Sequence, residues 1–143
     1  MRVNGHEIPR RLVLALSGSN GDGVLRSDDA VPMKAAFLEA FGIDLNLSAG
    51  ALYGWKFICG QDSASWVECP DEILKPTDLL ETSERAPQTL TSVAIGDVSR
   101  DQPIVVDFSD DPATLRALVS EEAGVAWRTL SPSVDEFLDS LGQ

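Results

Sequence analysis

Residues 92–108 read SVAIGDVSRDQPIVVDF, and the fold turns on them. Within Pro103–Phe108 the apolar residues Ile104, Val106 and Phe108 fall at alternate positions, so they share one face and Asp107 takes the other. Alternation in a β-branched and aromatic stretch predicts a strand. Ser92–Ile95 is a second apolar run, followed by Gly96–Asp97. The polar stretch DVSRDQ between the runs predicts a turn, and the two strands then form a hairpin.

Toward the C-terminus, Asp111–Val119 (DPATLRALV) admits two readings. Asp111 followed by Pro112 suits a helix N-cap and first position, and local rules lean towards a helix. Yet LRALV also alternates, and EEAGVAWRTL after it suits a turn and a returning strand. Ser133 and Glu136 then stand at capping-box spacing. Val134, Phe137, Leu138 and Leu141 form an apolar stripe closed by Gly142, which predicts a C-terminal helix over 133–141.

The other direction holds more helix. In residues 28–42 (DDAVPMKAAFLEAFG), Pro32 lies in the first turn, Met33, Phe37 and Phe41 are four apart, and Gly42 is a stop. Ile8–Leu16 reads as a helix with Pro9 at its start, although RLVLAL also suits a strand. Residues 17–23 (SGSNGDG) read as a loop. Residues 51–58 (ALYGWKFI) alternate Tyr53, Trp55 and Phe57 and read as a strand, with Trp66–Cys69 as its short partner. Residues 69–89 are punctuated by Pro70, Pro76 and Pro87, and predict irregular chain with a helical turn or two. Helices first, strands next and a terminal helix argue an α+β fold with a mainly antiparallel sheet. A chain of 143 residues makes one domain, 1–143.

The chain carries 23 acidic and 11 basic side chains, a net charge of −12. The excess lies after residue 58. Residues 1–58 balance, residues 59–96 carry −5 and residues 97–143 carry −7. Such a surface repels phosphate backbones and anionic membranes, so neither nucleic acid nor membrane is expected as partner. It favours a basic protein partner, although solubility alone also accounts for acidic surfaces. No apolar run approaches the roughly 18 residues of a membrane span, and MRVNGHEIPRR has no signal-peptide pattern. Cys59 and Cys69 form no CxxC pair and are expected as reduced thiols of a cytoplasmic protein, with a Cys59–Cys69 disulfide as the alternative.

Motifs for chemistry fail in turn. Gly18, Gly21 and Gly23 lack the spacing of a dinucleotide site, and GSNGDGVLR lacks the lysine of a phosphate loop. No calcium-loop register and no G-x-S-x-G elbow occur. His6 is the single histidine, near a chain end, and reads as solvent-exposed. No catalytic residue, metal site or cofactor is therefore expected. The adjacent acids Asp28–Asp29, Asp71–Glu72, Asp110–Asp111 and Glu121–Glu122 read as solvated surface, with partner contacts as the sharper alternative. Trp55 and Trp127 read as core. Trp66 follows a polar loop and is a candidate interface anchor.

AIGDVSRDQPIVVDF followed by AWRTLSPSVDEFLDSLG resembles the SUKH superfamily, which includes the yeast regulator of cell-wall synthesis and many bacterial immunity proteins. The resemblance runs over residues 92–142. It is carried by the strand and Gly-Asp pair at Gly96–Asp97, the aliphatic strand Pro103–Phe108, the strand holding Trp127, and the helix with Ser133, Val134, Phe137, Leu138 and Leu141. Gly54–Phe57 and the Ile8-Pro9 start of the first helix extend it loosely, and the Asn-Gly signature expected after that helix is not clear. The resemblance implies a strand over Leu115–Val119 and another over Val125–Leu130. It implies an α+β fold with a mixed, mostly antiparallel sheet and helices packed on one side. It also implies a non-enzymatic immunity protein that neutralises a cognate bacterial toxin such as a nuclease by direct binding, and the chain is expected as a monomer or weak dimer. The alternative is a regulatory or scaffold interaction module of the same fold. The partner-binding candidates are Trp66, Asp101, Asp110, Asp111, Glu121 and Glu122, with the acids expected in loops at the sheet ends.

Overall fold

In the computed structural model the described residues are 2–3, 5–17, 27–46 and 71–142. The strands expected over 51–58 and 66–69, most of the 17–23 loop, Cys59, Cys69 and Trp66 lie outside them. In chain order the elements are β1 (Arg2–Val3), β2 (His6–Glu7), α1 (Arg10–Ser17), α2 (Ser27–Phe41) and α3 (Asp71–Leu74). A 3-10 turn (Thr89–Thr91) follows, then β3 (Ser92–Ser99), β4 (Gln102–Asp107), β5 (Thr114–Glu121), β6 (Gly124–Ser131) and α4 (Val134–Ser140). This is an α+β fold. β1 and β2 make a small hairpin, and β3 to β6 form an antiparallel meander in sequence order.

Alternation sorts the strand residues onto two faces. Val93, Ile95, Ile104, Val106, Leu115 and Ala117 share a core with Leu12 of α1, Phe37 of α2 and Phe137 and Leu138 of α4. Phe37, Phe41 and Phe137 meet at 5.1–5.9 Å between ring centroids and join α2 to α4. The other face is also dry. Ala94, Val105, Leu118 and Trp127 pack there against Leu74 of α3, with half-buried Leu79 and Ala86 beside them. The three longer helices lie on one face, and single-turn α3 lies with the 78–86 segment on the other.

That segment also covers the outer edge of β6. Leu79 makes a parallel bridge to Val125. Leu80 N–H donates to the Val125 carbonyl at 2.8 Å, and Val125 N–H donates to the Asp78 carbonyl at 3.1 Å. Further along, side chains stand in for a backbone partner. Trp127 N–H donates to Ser83 Oγ at 2.8 Å, and Thr129 N–H donates to a Glu84 carboxylate oxygen at 3.1 Å. An unpaired edge is thereby blunted without a full strand. Gly124 permits the close approach, since a Cβ there would run into the Asp78 carbonyl oxygen.

Three expectations need correction. The helix favoured by local rules over Asp111–Val119 is strand β5, because its alternating residues complete a core on both faces at once. The turn read over DVSRDQ is only Arg100–Asp101. β3 runs on to Ser99 through two irregularities, and Asp101 takes the left-handed conformation with φ of 57°. His6 is not a loose exposed side chain. It stacks on Phe108 at 4.6 Å between centroids, and its Nε2 is 2.8 Å from the Leu90 carbonyl.

The terminal helix matches its pattern. Ser133 caps it, its Oγ accepting from Glu136 N–H at 3.2 Å. Arg11 of α1 pairs with Asp135 at 3.3 Å and with Asp139, tying α1 to this helix. Ser133→Ala is expected to cost about 1 kcal/mol, read as a lower urea midpoint at unchanged slope.

Candidate functional site

The meander puts its turns at two ends. Arg100–Asp101 and Glu122–Ala123 sit at one end, and the 108–113 connection sits at the other. The expected acids are therefore divided. Asp101, Glu121 and Glu122 share the first end, and Asp110 and Asp111 lie at the far end. Glu121 is the last residue of β5 rather than a loop residue. Its two carboxylate oxygens accept from Arg128 Nε and Nη2, each at 2.9 Å. These bonds hold the Glu121 carboxyl below the usual carboxylate range and push the Arg128 guanidinium up. Asp101 and Glu122 are exposed. Asp110 accepts from the Thr114 hydroxyl at 2.9 Å.

Beside the first end lies a cleft of about 740 Å³. The C-terminal end of α2, the chain after it, the turn-end residues of β3 to β5 and the C-terminal half of β6 line it. Phe41, Ile43, Val119 and Leu130 supply apolar lining, and Asp44, Gln102, Glu121 and Arg128 supply polar lining. Gln102 Nε2 donates to Ser120 Oγ at 2.6 Å, which fixes both side chains. Lys34 stands 3.2 Å from Asp44.

A second polar centre is enclosed on the face of the sheet that α3 and the 78–86 segment cover. Asp107 is wholly buried and Arg116 is 4% exposed. Arg116 Nη1 donates to Asp107 Oδ2 at 2.9 Å, and its other terminal nitrogen donates to the Arg85 carbonyl. The guanidinium lies 5.7 Å from the Trp127 ring centroid, and Trp127 Nε1–H donates to the Leu74 carbonyl at 2.7 Å. Burial pushes the Asp107 carboxyl up. The Ser109 hydroxyl, the Ser109 N–H and Arg116 together outweigh that and hold it below its ordinary value. A carboxyl kept ionised and fully bonded is a clamp, not a proton donor at neutral pH.

The acid response follows. A depressed folded value contributes stability above the unfolded carboxyl's range and loses it as pH falls through the folded value. The unfolding free energy, measured in urea against pH, should therefore fall below about pH 4. Ser109→Ala should shrink that acid-dependent part.

Sequence reading missed Asp44, Gln102 and Arg128, whose roles come from distant segments meeting. Arg116 and Asp107 did leave a trace, each a charge within an otherwise apolar alternating run. Trp66 lies outside the described residues. Among the described residues no group of three or more His, Cys, Asp or Glu side chains is gathered to hold a metal ion, and no helix is long and apolar enough to cross a membrane. Comparison with family models, curated proteins and solved structures found no match for the chain.

Proposed function

We propose that this chain is a non-enzymatic, cytoplasmic protein-binding domain that captures a basic protein partner. In its sharpest form it is an immunity protein that neutralises a cognate toxin, as the resemblance of residues 92–142 to the SUKH superfamily suggests. The observation that carries the reading is the turn end of the sheet. Asp101 and Glu122 are exposed there, and the cleft beside that end has Asp44 and Glu121 in its lining. Toxins that grip phosphate carry basic surfaces, and an acidic patch meets such a surface by charge complementarity and speeds encounter.

The test is binding and cell rescue against proteins encoded beside this gene. With a partner in hand, Asp101→Lys with Glu122→Lys should slow association and flatten its salt dependence. Glu122→Lys should change stability by no more than about 0.5 kcal/mol, as for surface substitutions, whereas lysine at the left-handed Asp101 should cost up to about 1–2 kcal/mol. Asp110→Lys with Asp111→Lys, at the far end, should do less. Equal effects from both ends would refute the assignment of the turn end, and no binding and no rescue would refute the reading itself.

A further inference from the structure

We propose that the cleft at the end of α2 receives a lysine or arginine side chain of the partner, carried on a short segment with apolar neighbours. The proposal rests on the reading of this chain as a binder of basic proteins, and adds where the contact is made and by what chemistry.

The lining is amphipathic in the same sense as a long basic side chain. Phe41, Ile43, Val119 and Leu130 offer apolar surface for a methylene stem, and the exposed Asp44 offers a carboxylate for its charged tip, Glu121 being held by Arg128. The backbone adds to the field. α2 is 15 residues long, its C-terminal end borders the cleft, and its last turn holds no basic residue. The negative end of its dipole, roughly half a charge, therefore faces the site without a counter-charge of its own.

Among the described residues, the cations paired with the lining acids leave Asp44 and the helix end as the field of the cleft. Arg128 is committed to Glu121 through two bonds, and Lys34 meets Asp44 only in an exposed pair of the kind worth little. The volume lies within the roughly 300–1,000 Å³ of sites that enclose ligands of many atoms, well beyond a single ion. An acidic ligand would meet Asp44 and the helix end. A wholly apolar one would strip water from Asp44 and Gln102 without replacing its bonds.

The test is an amide NMR titration of the full chain with a synthetic peptide alternating arginine and leucine. The expected shifts fall on Asp44, Gln102, Ser120 and Thr129. Asp44→Lys, an exposed substitution, should weaken the peptide at least about tenfold, a change of about 1.4 kcal/mol. A peptide with glutamate in place of arginine should not bind. Shifts centred on the far end near Asp110, or equal affinity in Asp44→Lys, would overturn the proposal. A protein partner whose binding is lost in Asp101→Lys with Glu122→Lys, yet is unchanged in Asp44→Lys, would overturn the cleft assignment alone and leave the wider reading standing.

Discussion

Arg116→Ala should lower the unfolding free energy by about 3–5 kcal/mol, the scale found when one partner of a buried ion pair is removed. The loss comes less from the missing attraction than from what stays behind. Asp107 is wholly buried and would be left, among the described residues, with Ser109 to bond it. The Arg85 carbonyl would lose its donor, and the face of Trp127 would lose the cation beside it. Urea unfolding measures the effect. A companion variant, Arg116→Met with Asp107→Leu, removes both charges and should recover most of the loss, because two apolar side chains leave no charge to solvate. A single variant within about 1 kcal/mol of the parent, a typical point-mutation cost, would mean that the pair is not an enclosed one.

Trp127→Ala should cost a similar amount, about 3–5 kcal/mol, as expected for emptying a large core site. Trp127 is fully buried and stands opposite Leu118, where it joins the sheet to Leu74 of α3. Trp127→Phe should cost less but leave the Leu74 carbonyl without its donor, a penalty of about 1–3 kcal/mol. The damage should also be local. Hydrogen exchange at Leu80 and Glu84, whose N–H groups bond to β6, should accelerate before exchange in β4. Because Arg116 lies over the Trp127 ring, the two losses should not add, and a double-mutant cycle should return a coupling of about 0.5–3 kcal/mol.

The polar centre and the 78–86 segment explain why parts of this molecule can be read from residues and parts cannot. Pro103–Phe108 was legible because period-two alternation is a local property of a strand, and Ile104 and Val106 do share one core. The terminal helix was legible for the same kind of reason, since Ser133 and the stripe through Phe137 and Leu138 act within one turn or two. Asp111–Val119 is ambiguous because Asp111-Pro112 is a good helix start, while the neighbours that make β5 a strand lie in β4 and β6.

The acids show the same division for the site. Asp101 and Glu122 could be chosen as exposed turn residues from their surroundings in the chain. That they share an end, that Asp110 and Asp111 do not, and that Arg128 occupies Glu121 all depend on strand order.

Local rules acting over a few residues therefore decided the element types of the clearest segments, the acidic balance and the α+β class. The tertiary structure alone decided which charges are buried as a pair, which segment covers the edge of β6, and which acids stand beside the cleft. The reason is range. Propensity, capping and alternation act between residues a turn or a strand apart. Burial, ion pairing and edge protection join groups such as Glu84 with Thr129, or Arg11 with Asp139, that only the folded chain brings together.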